Sequence, residues 1–351
     1  MPIKPYRYGM RTISRLLAAL LALLLIATAC GDDSSPSTDG TADSITVYSG
    51  RSEDLIQPLL DAFTEATGVS VEPRYADSAE LALLIDTEGD GSPADVFISQ
   101  SPGALGYLAG EDRLTSLDDG VLDLVAEGFR ASDGTWVGLT GRVRTLVYNS
   151  DLVDATDLPD SVFELTEPAY SGRVGVAPTN GSFQDFVTAM RNEIGDDATA
   201  EWLEGMAAND APNYPKNSAI VEAVGRGEVE MGLVNHYYNL RALEADPSVA
   251  SVNHFFPADD LGALVIVTGG AVLDSSDAPA TAQQLIEFLL GDESQATFVA
   301  ETQEYALVEG GETPGGLPPL DAFAVDTIDY ELLGEGLTGT QELIRESGIE
   351  Q

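Results

Sequence analysis

ITVYSGRSEDLIQPLLDAFTEATGVSVEP, residues 45–73, contains one complete strand–helix–strand unit. Ile45 to Tyr48 is rich in β-branched and aromatic side chains and reads as a strand. Leu55, Ile56, Leu59, Leu60 and Phe63 then recur at the 3.6-residue spacing of one helix face. Ser52 stands where such a helix is capped, and Gly68 where it ends. Val69 to Pro73 reads as the next strand. Alternation of strand and helix predicts an α/β chain, with a parallel sheet covered on both faces.

The alternation continues outward from this unit. Leu81 to Ile85 sits on a second helix, and Asp95 to Ile98 is a third strand entered from Gly91-Ser92-Pro93. Further on, Gly172 to Val176 is a strand leading to Pro178-Thr179-Asn180-Gly181, and Ser182 with Asp185 has capping-box spacing. Ser218 to Val224 reads as helix and Val229 to Val234 as strand, with a loop at Asn235. Ala263 to Thr268 is a strongly apolar strand. Helices from about Ala282 to Leu290 and Ser294 to Glu301 complete the pattern.

The N-terminus is of another kind. Lys4, Arg7, Arg11 and Arg15 precede an apolar run, Leu16 to Ala27, which ends in small residues and Cys30. A charged start, a short apolar core and a small-residue site describe a secretory signal over 1–29. The run is shorter than the ~20 residues that span a bilayer. Cys30 after Ala27-Thr28-Ala29 resembles the bacterial lipobox, with Ala27 where leucine is commonest, and is expected to carry the lipid anchor. Residues 30–44 lack large apolar side chains and predict a flexible, lipidated tether. Cys30 is the only cysteine, so no internal disulfide is available and stability must come from core burial. The remaining length, about 320 residues, favours two lobes over one small domain.

The chain carries 59 acidic against 16 basic residues, a formal charge of −43. Loss of the four basic residues before Cys30 leaves about −47, with Lys216 the sole lysine. Such a chain is repelled by nucleic acid and by anionic lipid. Most of these acids read as a solvated surface, since they cannot all line one site.

Five segments together carry a family resemblance. They are VYSGRSEDLIQPLLDAFTEATGVSVE (47–72), GDGSPADVFIS (89–99), WVGLTGRVRTLVYN (136–149), NYPKNSAIVEAVGRGEVEMGLVNHYYNL (213–240) and GALVIVTGGAVL (262–273). The chain resembles the ferric-ion-binding proteins of bacterial ABC iron importers, over about residues 45–345. The Asn-His-Tyr-Tyr segment is the specific part. The resemblance implies a two-lobed periplasmic-binding-protein (Venus flytrap) fold with two hinge crossovers, near Gly141–Leu146 and Ala263–Thr268. Lobe 1 would comprise 45–140 plus 268–351, and lobe 2 residues 141–267. It further implies an extracytoplasmic monomer that captures Fe3+ and passes it to ABC permease subunits.

Ferric ion is hard and favours anionic oxygen. Tyr237 and Tyr238 offer two phenolates, because coordination to a strong Lewis acid favours the deprotonated form. Adjacent residues of a regular strand point to opposite faces, so the pair converges only at a loop or element end. The other family ligands are altered here. Ser52 stands where the family has a histidine, and neighbouring Glu53 is the carboxylate candidate, or else a first-turn acid favoured by the helix dipole. Gln100 stands where a glutamate is expected, as a neutral ligand or a cleft-lining polar residue. Some members complete the coordination with phosphate or carbonate. The matching positions are Asn180, Gly181, Ser182, Ser101, Asn217 and Asn235, of which 180–182 precede a helix whose N–H groups attract anions. Arg142 and Arg144 lie at the first crossover, to balance charge in the cleft or to pair with surface acids. His236 stands beside the tyrosines as a supporting residue, and His254 reads as an ordinary loop residue.

Two other classes compete. Receptors for polyamine, thiamine or oxyanions share the two-lobed design. An enzyme is the less favoured reading: the chain has no G-x-x-x-x-G-K, H-E-x-x-H or G-x-S-x-G motif.

Overall fold

A computed structural model describes residues 42–323 and 330–351. The signal segment, Cys30 and nearly all of the tether lie outside them. Among the described residues, no helix is long and apolar enough to cross a membrane.

The opening unit folds as its periodicity dictates. β1 (Ser44–Ser49) leads into α1 (Glu53–Thr67), whose buried stripe is Ile56, Leu59, Leu60 and Phe63. Gly68 ends α1 at φ +80°, a conformation that costs a residue without Cβ little, and its N–H closes on the Thr64 carbonyl. β2 (Ser70–Tyr75) and α2 (Ser78–Glu88) follow, with the Asp77 side chain accepting from the Ala79 N–H as cap. β3 (Val96–Ser99), α3 (Pro102–Gly110), β4 (Leu114–Thr115) and the short α4 (Asp119–Leu122) complete this part. α3 starts with proline, whose fixed φ suits a first helical turn.

β5 (Trp136–Asn149) is fourteen residues long and buried throughout. Beyond it come β6 (Val174–Gly175), α5 (Gly181–Ile194), α6 (Asp196–Ala208), α7 (Asn217–Gly225), β7 (Met231–Asn235), α8 (His236–Ala245) and β8 (Ser251–His254). The chain returns through β9 (Val265–Leu273), α9 (Pro279–Leu290), α10 (Asp292–Thr297), β10 (Tyr305–Ala306) and α11 (Tyr330–Ser347). The helix expected over Ser294–Glu301 is thus divided: α10 stops at Thr297 and a π-turn covers Phe298–Thr302.

The main path of the sheet runs β2-β1-β3-β9-β5-β7-β6. β1, β2 and β3 are mutually parallel, as are β6 and β7, while β9 and β5 run antiparallel to their neighbours. The sheet is therefore mixed, not wholly parallel. β5 pairs with β9 from Trp136 to Val143, with an irregularity between Gly138 and Thr140. From Arg144 it pairs instead with β7, and from Leu146 also with β8. One strand thus serves two groups of strands and changes neighbours between Val143 and Arg144.

Helices cover both groups. α7 lies so close on β7 that a Cβ at Gly232 would sit 2.1 Å from Cγ2 of Ile220. α11 packs on α3 and α5, where the Thr188 and Thr340 hydroxyls meet at 2.7 Å and Arg191 donates to the Gly336 carbonyl.

Candidate metal and anion site

No loop separates β7 from the tyrosines. β7 ends at Asn235, and His236, Tyr237 and Tyr238 form the first turn of α8. Adjacent helical residues are separated by about 100° rather than 180°, so both phenols can face one region. Their rings stack with centroids 4.2 Å apart and planes 28° apart. Tyr237 is 4% exposed. Tyr238 is half-buried and lines a groove of about 690 Å³ with Ser218, Arg241 and Ala242, so solvent reaches its ring. Burial pushes the Tyr237 hydroxyl well above the usual phenol range, and neighbouring Tyr238 adds to this; Arg142 opposes the rise and Glu304 reinforces it. With no metal bound, Tyr237 is a neutral phenol at neutral pH.

Two buried guanidiniums flank the pair. Arg142 and Arg144 are alternate residues of β5 and therefore share a face. Arg142 donates to the carbonyls of Gln100 and, at 3.2 Å, Val267. Arg144 donates to Asn235 Oδ1 and the Leu233 carbonyl, each at 3.4 Å, and lies over Phe183 and Phe186. Burial draws the Arg144 pKa down, against Tyr238 and Asp185, yet leaves it cationic at neutral pH. Arg142 Nε, Arg144 Nε and Asn235 Nδ2 are buried donors without a hydrogen-bond partner among the described residues.

A polar cluster stands at the start of α5. Asn180 Oδ1 accepts from the Ser182 N–H at 3.2 Å and the Ser182 hydroxyl at 2.7 Å. Asn217 Nδ2 donates to Asn180 Oδ1 at 3.3 Å and Ser182 Oγ at 3.0 Å. Gly181 is the exposed first residue of the helix. Asn180, not Ser182, is therefore the cap, which replaces the expected Ser182–Asp185 box. Asp185 turns inward instead, and its two carboxylate oxygens accept from the Ser101 hydroxyl at 2.8 and 2.9 Å.

That contact has a pH consequence. Burial raises the Asp185 pKa to about 6, despite Ser101, Arg142 and Arg144. The folded chain binds this proton more tightly than the unfolded chain, so stability falls as pH rises from about 4 through 6. A shift of about two units corresponds to roughly 2–3 kcal/mol. Asp185→Asn is expected to be more stable than the unaltered chain at pH 7.5, with the gain vanishing near pH 4. Denaturant titrations at both pH values check this, and an equal difference at both would contradict it.

The remaining expected ligands are placed differently. Ser52 and Glu53 are exposed at the start of α1, and the Ser52 side chain makes no cap bond. Gln100 is half-buried, and its Oε1 accepts from Arg51 Nη1 at 3.4 Å. Direct contacts link Arg142 to Gln100, Arg144 to Asn235, Asp185 to Ser101, and Asn180 to Ser182 and Asn217. No such contact ties Glu53 or Ser52 to them. His236 has both ring nitrogens engaged, Nδ1 by the Val143 N–H and Nε2 by the Gln303 carbonyl, so it offers no free nitrogen to a metal. His254 Nε2 donates to the Pro159 carbonyl.

Sequence reasoning missed Arg51 and Glu304, and read Asp185 as a helix cap rather than a partner of Ser101. Arg51 and Glu304 form a fully buried ion pair at 2.8 Å, which also receives the Thr140 hydroxyl at 2.6 Å. The one available signal was scarcity: Arg51, two residues past β1, is one of only 16 basic residues in the chain. Among the described residues, no three His, Cys, Asp or Glu side chains gather as a metal site.

The family described as bacterial extracellular solute-binding protein matches residues 91–322. The chain is 34% identical over 317 residues to the major ferric iron-binding protein of Neisseria meningitidis serogroup B, covering 89% of this chain and 95% of that one. The structure of iron-bound HitA from Pseudomonas aeruginosa superposes with a TM-score of 0.81 at 34% identity, covering 87% of this chain and 99% of that one. A Trichodesmium protein (IdiA, FutA), solved with iron and citrate ligands, gives 0.78 at 25% identity, covering 87% and 99%.

Proposed function

The chain belongs to the bacterial extracellular solute-binding protein family, and from that footing we propose that it captures ferric ion in its interlobe cleft and delivers it to ABC permease subunits. The fold is the two-lobed α/β architecture of periplasmic binding proteins. The observation that carries the ferric reading is the stacked Tyr237–Tyr238 pair, set beside the buried cations Arg142 and Arg144. The names of its relatives point the same way.

Ferric ion would replace the phenolic proton of each tyrosine, so capture releases protons and weakens in acid. Glu53 and Gln100 are the candidates to complete the ligand set, and both would have to be brought toward the tyrosines by closure. Arg142 and Arg144 would favour the phenolates that form as the ion displaces those protons.

An anion fits the remaining groups. Arg142 Nε, Arg144 Nε and Asn235 Nδ2, buried donors without partners among the described residues, suit phosphate, carbonate or the carboxylates of a ferric chelate. Asn180, Gly181, Ser182 and Asn217 would hold its far side at the α5 N-terminus, with Ser101 and Ser52 as neighbouring hydroxyls.

Closure would be a hinge motion between residues 45–140 plus 268–351 and residues 141–267. The change of neighbours within β5 at Val143 supports a hinge there. The family is extracytoplasmic by description, and we place the chain outside the cytoplasm, held to the membrane through lipid on Cys30 and working as a monomer.

Ferric titration of the purified chain, followed by visible absorbance, tests the reading. A phenolate-to-iron charge-transfer band should grow to one equivalent and persist against a competing chelator. A colourless protein, with an organic cation such as a polyamine bound instead, would replace ferric ion by a different solute.

A further inference from the structure

His236 is fully buried, and its surroundings determine its protonation. The Val143 backbone N–H donates to Nδ1 at 3.1 Å, and the Gln303 carbonyl lies 2.8 Å from Nε2. An N–H cannot accept and a carbonyl cannot donate, so Nδ1 is bare and Nε2 carries the hydrogen. The imidazole is neutral, with one acceptor and one donor in use.

Each partner occupies a special place. Val143 is the last residue of β5 paired with β9, and Arg144 is the first paired with β7. Gln303 adopts φ +60° and ψ 25°, a left-handed conformation that side chains disfavour. Its successor Glu304 is clamped by Arg51 and Thr140, and Tyr305 pairs with Gly141 in β10. The His236 ring lies 5.0 Å from that of Tyr305 and 6.0 Å, edge-on, from that of Tyr237. A single side chain therefore touches the point where β5 changes neighbours, the returning segment 303–305, and the first of the two tyrosines.

We infer that His236 is a positioning residue: it fastens the tyrosine-bearing end of α8 to the segment 303–305, and so holds the tyrosine pair in place beside the point where β5 changes neighbours. The bond that does this is Nε2–H to the Gln303 carbonyl, because Gln303 lies on the returning segment whereas Val143 lies on β5 itself. For its effect on iron the inference rests on the ferric reading above; for the fastening itself it does not.

Two variants of the full chain separate the two bonds. In His236→Gln the amide nitrogen reaches the ε position and can donate to Gln303. In His236→Asn the side chain reaches only the δ position, so it can accept from Val143 and leaves the Gln303 carbonyl unpaired. Amide hydrogen exchange is measured on metal-free protein over residues 140–147 and 300–306. Ferric release to excess aminopolycarboxylate chelator is measured with the visible band. Loss of one such hydrogen bond corresponds to roughly a tenfold change. His236→Asn is expected to speed exchange over 300–306 and ferric release by about that factor, without shifting the band. His236→Gln is expected to remain within about threefold of the unaltered chain. Equal impairment of both variants, or no effect of either, overturns the inference. So does a band shifted in His236→Asn, which would make the ring a ligand. If the unaltered chain is colourless, the ferric reading falls and the exchange measurements alone decide the fastening.

Discussion

Replacing Tyr237 and Tyr238 together with phenylalanine is expected to abolish the visible ferric band and to weaken ferric affinity roughly a thousandfold or more. The substitution removes two anionic oxygens and no ring, so the stacked pair and the apolar contacts persist. A charge-assisted contact is worth about 2–3 kcal/mol, and two lost together exceed about 4 kcal/mol, or three powers of ten. A chelator competition monitored by absorbance gives both numbers. Each single variant should keep a weaker band at a changed wavelength, because one phenolate remains. The pH dependence supplies a second test. Binding to the unaltered chain releases phenolic protons and therefore weakens in acid; the double variant should lose most of that dependence. If it retains the band and the affinity, the iron is held elsewhere.

The second large effect lies away from the tyrosines. Arg51→Met is expected to destabilise the fold by about 3–5 kcal/mol, because it leaves Glu304 as a buried carboxylate without its ion-pair partner. Arg51 makes several contacts: Nη2 faces Glu304 at 2.8 Å, Nη1 donates to Thr268 at 3.2 Å, and the guanidinium lies over Phe298. In the unaltered chain burial would raise the Glu304 pKa, but Arg51, Arg142 and Thr140 outweigh it and hold the carboxyl below its ordinary value. Glu304 thus contributes stability above its unfolded pKa, which is lost as pH falls through the folded one. Without Arg51 the balance reverses and protonation of Glu304 becomes favourable. The deficit of Arg51→Met should therefore shrink as pH falls toward 4. Pairing it with Glu304→Gln should restore much of the loss, since no buried charge is then left alone. A deficit below about 1 kcal/mol at pH 7.5 in denaturant titrations would show that the buried pair is not sustaining this junction.

How far the sequence could be read depended on the range of the interaction involved. The strand–helix–strand unit at 45–73 was legible because its signals are local: a 3.6-residue stripe, and a glycine where α1 must stop. The tyrosine pair was legible as chemistry but not as conformation. His-Tyr-Tyr-Asn has weak helix propensity, and tertiary packing of His236, Tyr237 and Asn239 makes it helical. Asp185 was misread because its spacing from Ser182 suits a capping box, whereas Asn180 already satisfies the helix start. Arg51 with Glu304, and Ser101 with Asp185, join residues far apart in the chain, and no periodicity reports such pairings. Glu53 was chosen by position in a motif, and the structure leaves it exposed at a helix start.

β5 also governs how the molecule can assemble. The strand is complete in the chain at Asn149, yet its partners Met231–Asn235, Val265–Ala271 and Tyr305–Ala306 all come much later. β3 likewise waits for Gly269–Val272. Until those residues arrive, a fourteen-residue strand that is buried throughout in the native fold and the open edge of a parallel sheet have no cover, and unpaired edges of this kind invite association between chains. Non-local pairing also makes the search slow. The expected refolding behaviour is therefore slow and concentration-sensitive, with little native sheet stable before the region around residue 270 has been incorporated.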